Sequence, residues 1–254
     1  MISPFPSGLA PGAARRQAAG LLVLFFSTIY GGGILVGDIH DHPAPLVLSA
    51  LALGALMLLV TVLLVRRDAW WRESLGLGRQ PVGSMLGWSL LGFVGTYVMN
   101  LVLISAYLAA HGNLEAVAAH RATWLGSLAE LPVEVTLPLV AFAGVWEETV
   151  FRGFLLGRLR ASMPVRDSRG AALHRDVLAV VLTGIFFGAG HGYQGLLGVG
   201  QTALAGIALG ALTVWRKSIW PAIGAHLAID GFSLIALKAL KLMLHAVLNL
   251  AAVP

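Results

Sequence analysis

The sequence predicts an all-α, polytopic membrane protein of about eight transmembrane helices, with a polar site enclosed between helices inside the bilayer. The chain of 254 residues is 57% hydrophobic and only 11% charged, and its mean hydropathy is +0.83. Soluble domains carry about 25% charged residues. The chain also divides into apolar stretches of about the 20 residues that a membrane-spanning helix requires. Composition and segment length therefore indicate the same fold class.

The predicted helices follow one another with short polar connections. They lie over 18–37, 44–66, 82–110, 135–157, 177–194, 197–215 and 219–237, with a shorter one over 239–253. Residues 1–14 are rich in Pro and Gly, and we expect them to be a disordered N-terminus. We expect residues 15–254 to form a single transmembrane helical domain, because no linker interrupts the apolar pattern.

Basic residues are distributed unevenly between the two ends of these helices. With the N-terminus in the cytoplasm, 13 of the 17 Lys and Arg residues fall on the cytoplasmic side, as the positive-inside rule expects. The same positions account for the net charge of +5 and the pI near 10.1. Since no basic helix with interleaved aromatic residues is present, nucleic acid is not an expected partner.

The fourth predicted helix carries ionisable residues in the middle of its apolar stretch. Such residues cost several kcal/mol in hydrocarbon and usually serve a function. Glu148 and Arg152 are four residues apart, so we expect them to pair on one helix face. Glu147 is rotated by about 100° from Glu148, which leaves it as the candidate general base. The alternative is a purely structural ionic cluster of all three residues.

The fifth predicted helix carries His191 beside three small residues. Gly184, Gly188 and Gly192 recur at every fourth position, a spacing that lets another helix approach closely. A close neighbouring helix is what a site shared between helices needs. A lone His in a helix can also be a hydrogen-bonded structural residue.

The seventh predicted helix carries His226 and Asp230 on one face. An acid four residues from a His can orient the ring and fix its tautomer, or it can be a second metal ligand. The alternative is a local hydrogen bond that only satisfies two buried groups.

Together these residues predict a hydrolytic or metal site. Glu147, His191 and His226 match the His₂Glu set of catalytic zinc sites, which would hold Zn²⁺ or another divalent cation. Equally, Glu147 and one His could activate water without a metal. The absence of Cys excludes a zinc thiolate site and a cysteine nucleophile. The alternative functions are a transporter or proton relay, and a non-catalytic immunity or scaffold protein.

Three short segments carry a family resemblance. EETVFR at 147–152, FGAGH at 187–191 and HLAID at 226–230 resemble the three ordered motifs of the CAAX prenyl endopeptidase and bacteriocin-processing (CPBP, or Abi) family of intramembrane proteases. The resemblance covers about residues 80–237, the expected protease-like core.

The resemblance implies an intramembrane endopeptidase, expected to be a metalloprotease, that hydrolyses a peptide bond of a membrane-associated substrate. Glu147 would be the carboxylate that activates water. His191 and His226 would join it as metal ligands or as a pair that polarises the carbonyl and stabilises the oxyanion. Glu148 and Arg152 would support them.

Asp230 departs from the family pattern, because the family usually has Asn at this position. Asn can donate a hydrogen bond to an oxyanion, whereas an ionised Asp cannot. The resemblance further implies a peptide or protein substrate, which can be lipid-modified, and we expect a place in the bilayer of a bacterial inner (cell) membrane, with the cytoplasmic N-terminus that the basic residues indicate. The sequence does not indicate a particular oligomeric state.

Overall fold

The described part of the chain is helical throughout. In this computed structural model the described residues are 9–36, 43–66, 68, 71–112, 131–165 and 168–251, and they contain no strand. The elements in chain order are α1 (Pro11–Val36), α2 (Pro43–Val65), α3 (Trp71–Ser74), α4 (Val82–His111), α5 (Val133–Glu147), a π-helical segment (Glu148–Leu155), α6 (Leu156–Ser162), α7 (Arg169–Ala189), a 3₁₀ turn (Gly192–Gln194), α8 (Gly195–Arg216) and α9 (Trp220–Ala251).

The apolar helices confirm the predicted fold class. Within the described ranges, five stretches are long and apolar enough to cross a membrane: Val47–Val65, Val82–His111, Arg169–Ala189, Gly192–Arg216 and Trp220–Ala239. The protein is therefore a polytopic helical membrane protein.

Several predicted helix boundaries are wrong. The helix predicted over 18–37 begins at Pro11, so residues 11–14 of the predicted disordered N-terminus are helical, while residues 1–8 lie outside the described residues. The separate helices predicted over 219–237 and 239–253 form one continuous α9, because neither Pro nor Gly interrupts residues 232–251. The helix predicted over 177–194 instead begins at Arg169, where the Ser168 hydroxyl accepts from the Ala171 N–H as an N-cap. It ends at Ala189, before the Gly-rich turn that contains His191.

A π-helical segment interrupts the long helix at the centre of the fold. An α-helix was predicted over 135–157, but the backbone changes its hydrogen bonding from Glu148 onward. The Leu156 N–H bonds to the Phe151 carbonyl, five residues earlier, where an α-helix bonds four residues back. Such segments occur most often at functional sites, and this one contains Glu148 and Arg152.

The helices α7 and α8 pack against each other through glycine. A Cβ at Gly188 would lie 2.6 Å from the Val199 carbonyl oxygen, and one at Gly184 would lie 2.5 Å from the Ile207 side chain. These contacts are closer than any Cβ tolerates, so the two helices need glycine at both positions. The predicted close approach of a neighbouring helix is confirmed for Gly184 and Gly188.

Connections with many basic residues meet at one end of the helices, here called the basic end: the start of α1 and the described residues 66, 68, 71–81, 158–165 and 216–219. Arg158 joins two of these segments to α6, since its Nε donates to Gln17 Oε1 at 2.7 Å and its Nη2 donates to Asp68 Oδ2 at 2.8 Å. The Ile219 N–H donates to the Gly76 carbonyl at 3.1 Å. The segments that the charge distribution assigned to one side of the membrane thus lie together.

Candidate active site

The side chain of Glu148 lies at the centre of the site. It is fully buried, and its Oε1 lies 2.9 Å from Arg152 Nη1 and 2.7 Å from His226 Nδ1. The predicted pairing of Glu148 with Arg152 is confirmed. The contact with His226 was not predicted, since it joins the π-helical segment to α9. A Nδ1–H that donates to this carboxylate fixes the orientation of the His226 ring.

The other ring nitrogen of His226 faces two further carboxylates. Its Nε2 lies 3.4 Å from Asp230 Oδ2 and 3.8 Å from Glu147 Oε2. Glu147 is 13% exposed and Asp230 is 35% exposed. Glu147 Oε2 is buried and has no hydrogen-bond partner among the described residues. The structure thus places four side chains in one cluster: Glu147, Glu148, His226 and Asp230. Glu148, which contacts His226 Nδ1, is the acid that orients the ring.

The Arg152 guanidinium is fully buried beneath this cluster. Besides its ion pair with Glu148, it stacks over the Phe187 ring, with Cζ 4.2 Å from the ring centroid. A cation over an aromatic face is stabilised by the negative face of the ring. Phe187 therefore supports the charge from α7, while its ring also lies edge-on to His226 with centroids 6.1 Å apart.

His191 reaches the site from the turn after α7. Its Nδ1 lies 2.8 Å from the Phe187 carbonyl oxygen, and the ring centroids of the two residues are 4.8 Å apart. A donor bond from Nδ1–H to a backbone carbonyl fixes the tautomer in which Nε2 is the accepting nitrogen. His191 thus borders the same aromatic ring as Arg152 and His226.

Packing at the basic end places Glu147 and His226 at the same depth. A Cβ at Gly153 would lie 2.9 Å from the Leu75 carbonyl, so the connection before α4 presses against the π-helical segment. The same connection also accepts a hydrogen bond, through the Gly76 carbonyl, from the N–H of Ile219, the residue just before α9. Glu147 lies six residues from Gly153, and His226 lies six residues from the start of α9. The 3.8 Å between His226 Nε2 and Glu147 Oε2 shows that the two side chains meet at one depth.

The helices α5 and α9 also touch directly beside the cluster. A Cβ at Gly144 would lie 2.9 Å from Leu227 Cδ2 and 3.8 Å from His226 Cγ. The glycine one turn before Glu147 and Glu148 thus allows His226 to lie against this helix.

An ion pair sets the register between α6 and α7. Arg160 Nε and Nη2 donate to the two carboxylate oxygens of Asp176 at 2.8 and 2.9 Å. From this pair, Glu147 is 13 residues away along one helix and His191 is 15 residues away along the other. The Phe187 ring contacts both the His191 ring and the His226 ring, so His191 lies at the level of the site although α7 ends at Ala189.

The structure does not gather the predicted metal ligands into one group. Among the described residues, no three His, Asp or Glu side chains are grouped so that they could hold one metal ion. This applies to Glu147, His191 and His226, the set predicted from the sequence.

A Gly-rich turn carries a residue that the sequence analysis did not select. Tyr193 follows His191 by two residues, is 42% exposed and has its ring centroid 5.8 Å from that of His191. The signal in the sequence is the segment GHGYQG at 190–195, in which Gly195 takes a φ of +66°. Glycine adopts this region without strain, which marks a built turn at the end of a helix.

Fold and site together define a helical membrane protein with a buried carboxylate–imidazole cluster, a class to which hydrolases belong. Residues 129–232 match the family described as type II CAAX prenyl endopeptidase Rce1-like. This match confirms the resemblance to the CPBP/CAAX protease family over residues 129–232, and the protein is a CAAX-protease-like peptidase of the membrane. No curated protein and no solved structure matches the chain.

Proposed function

We propose that the protein is an intramembrane endopeptidase in which Glu147 activates the water that hydrolyses a peptide bond. The observation that carries this proposal is Glu147 Oε2, a buried carboxylate oxygen without a hydrogen-bond partner in the described part of the chain. It faces His226 Nε2 at 3.8 Å, too far for a direct hydrogen bond. Glu148 is already engaged by Arg152 and His226, so Glu147 is the acid available to accept a proton.

The chemistry follows from these positions. Glu147 takes a proton from water, and the water oxygen adds to the carbonyl carbon while the carbonyl π electrons move onto the carbonyl oxygen. His226, as an imidazolium held between the Glu148 and Asp230 carboxylates, donates its Nε2–H to this oxygen and stabilises its charge, while His191 borders the site with its accepting Nε2. The C–N bond then breaks as Glu147 returns the proton to the leaving nitrogen. Arg152 and Glu148 hold His226 in place throughout.

The substrate class follows from the position of the site between membrane helices and from the family. We propose a peptide segment held at the membrane, including one anchored by a lipid modification, since the matched family is described as a prenyl endopeptidase. We place the protein in the inner membrane of a bacterium, with the basic end in the cytoplasm.

The test is a peptidase assay on the purified protein in lipid. The substrates are farnesylated peptides ending in a CAAX sequence and the same peptides without the farnesyl group, with products identified by mass spectrometry. We expect Glu147→Gln to lower kcat by about 1000-fold or more, because an amide cannot act as the base. The matched control is Glu134→Gln, an exposed acid at the other end of α5, which should cleave like the wild type. Cleavage by Glu147→Gln at the wild-type rate contradicts the proposal.

The metalloprotease prediction has its own test. Elemental analysis of the purified protein is combined with activity before and after chelation and after addition of Zn²⁺. Activity that survives complete chelation supports catalysis by the acids and imidazoles alone. If activity is lost when bound zinc is removed and restored when Zn²⁺ is added back, the protein needs the metal.

A further inference from the structure

We propose that Arg216 binds the phosphate of an anionic phospholipid at the basic end of the helices. The site lies where the start of α4 meets the end of α8, apart from the carboxylate–imidazole cluster. The inference therefore goes beyond the proposed function and does not depend on it. It assigns to the chain a lipid-binding site in addition to the candidate active site.

The first support is the absence of a carboxylate beside Arg216 in the described part of the chain. Every other described arginine that is buried or partly buried pairs with a carboxylate: Arg152 with Glu148, Arg158 with Asp68, and both Arg160 and Arg175 with Asp176. Arg216 is also partly buried, and its Nε is buried without a hydrogen-bond partner among the described residues. A cation that is partly withdrawn from water is stabilised by a neighbouring anion, so an anion from outside the described chain fits this position.

The second support is the framework that holds the guanidinium of Arg216. Its Cζ lies 4.7 Å from the centroid of the Trp88 ring, and its Nη2 donates to Ser84 Oγ at 3.2 Å. The Trp88 ring packs in turn against the Trp215 ring, with centroids 4.6 Å apart and planes inclined by 65°. The planar fork of N–H donors in a guanidinium matches the oxygens of a phosphate. Because this guanidinium is already stacked and hydrogen-bonded, it loses little freedom on binding.

The third support is the apolar surface beside this framework, which favours a lipid over a free phosphate. Ser84, Trp88 and Leu91 lie on one face of α4, since they are four and then three residues apart. Leu91 is 53% exposed and Trp215 is 66% exposed, and both belong to stretches that are long and apolar enough to cross a membrane. Tryptophan is enriched where such helices meet the lipid headgroups. A phosphate at Arg216 therefore leaves the acyl chains to lie along Leu91.

The fourth support is a second cation next to the first. Lys217 directly follows Arg216 at the end of α8 and is exposed. Basic residues near the membrane surface attract anionic lipids, and basic pockets between membrane helices bind their headgroups. Two adjacent cations therefore favour a headgroup with a net negative charge, such as phosphatidylglycerol, over a zwitterionic one.

The experiment measures lipid binding by the full-length protein, purified in detergent and freed of lipid. Phosphatidylglycerol is titrated against the protein, and native mass spectrometry gives the affinity for the first lipid bound. We expect Arg216→Gln to weaken this binding about tenfold or more, because an amide cannot form charge-assisted hydrogen bonds to the phosphate. The matched control is Arg66→Gln, which removes the same charge from an exposed position at the basic end. It should bind within about twofold of the wild type, since solvent and salt screen an exposed charge.

A second variant, Ser84→Ala, keeps the charge and removes the hydroxyl that orients the guanidinium. We expect it to weaken lipid binding about threefold, the effect of one hydrogen bond. If Arg216→Gln does not fold, this variant decides, and wild-type affinity in Ser84→Ala then overturns the inference.

Two further outcomes would also overturn it. Wild-type affinity in Arg216→Gln shows that Arg216 does not bind the lipid, and an equal loss in Arg66→Gln shows attraction by overall charge alone. Sodium phosphate in place of the lipid separates the two sources of a phosphate. Phosphatidylglycerol should raise the melting temperature of the wild type and sodium phosphate should not, whereas an equal rise with both would indicate a site for free anions and contradict a lipid site.

Discussion

Glu148 is the residue that holds the site together. One of its two carboxylate oxygens, Oε1, contacts both the Arg152 guanidinium and the His226 ring. Both Glu148 and Arg152 are completely buried. A buried ion pair contributes little net stability, but the loss of one partner is costly because the other charge stays buried. Glu148 is thus a positioning residue, and Glu147 is the reactive one.

The first prediction separates these two acids. Glu148→Gln should lower the free energy of unfolding by about 3–5 kcal/mol, because the Arg152 charge is left without its partner. Glu147→Gln should change it by less than about 1 kcal/mol, since Glu147 has no ion pair with Arg152. Thermal unfolding of both variants in the same detergent is the measurement. Equal melting temperatures for the two variants would contradict this division of roles.

At the residue scale, the sequence allowed one of the two central contacts to be predicted. Spacing within one helix indicated the Glu148–Arg152 pair. The contact of Glu148 with His226 joins residues 78 positions apart, and periodicity carries no information about which faces of distant helices meet. The same limit applies to Tyr193, whose place beside His191 depends on where α7 ends.

At the element scale, the α7–α8 pair positions His191. Gly184 and Gly188 allow the close approach that their spacing predicted, but the third glycine of the stripe, Gly192, lies beyond the helix and packs against Tyr30 of α1. The same spacing therefore serves helix packing at two positions and turn formation at the third. Backbone geometry decides between these uses, and hydropathy does not.

The second prediction concerns this packing. Gly188→Ala should destabilise the protein by about 1–3 kcal/mol and lower peptidase activity, because its Cβ would meet the Val199 backbone and displace the turn with His191. Gly170→Ala is the control in the same helix, because Gly170 is exposed and a Cβ there meets nothing within 4 Å. It should keep full activity and gain up to about 1 kcal/mol from helix propensity. Thermal unfolding and the peptidase assay check both variants, and a Gly188→Ala protein as stable and active as Gly170→Ala would contradict the packing.

The π-helical segment is the element that sequence reasoning missed. The predicted α-helix over 135–157 grouped the right residues. It missed the π-helical bonding, because apolar character does not distinguish backbone hydrogen bonds to the fourth preceding residue from those to the fifth. The change in bonding begins at Glu148, one residue after Glu147. It therefore alters the directions of Glu148 and Arg152 relative to Glu147, which lies on the preceding α-helix.

At the scale of the whole molecule, hydropathy and charge predicted the helical class and the meeting of the basic segments. They did not predict the depth at which the reactive groups meet. That depth depends on the Arg160–Asp176 pair, on Gly153 beside Leu75 and on the contact of the Phe187 ring with the His226 ring. These are contacts between distant parts of the chain, and they bring Glu147, His191 and His226 to one level.

The third prediction concerns orientation in the membrane. Because the chain contains no Cys, single substitutions Arg79→Cys and His111→Cys report on the two ends of α4, and both residues are exposed. In intact bacterial cells, a membrane-impermeant maleimide should label the protein with Cys at position 111. It should label the protein with Cys at position 79 only after permeabilisation. The reverse pattern would show that the basic end lies outside the cytoplasm.

The central claim is that Glu147 activates water and does not itself attack the peptide bond. A single turnover with enzyme in excess over a peptide substrate, carried out in H₂¹⁸O, tests this claim directly. We predict one ¹⁸O atom in the new carboxyl group of the product during the first turnover and none in Glu147. An unlabelled product carboxyl with ¹⁸O retained in the Glu147 side chain would contradict the account, because it would show that the carboxylate formed a covalent intermediate with the substrate.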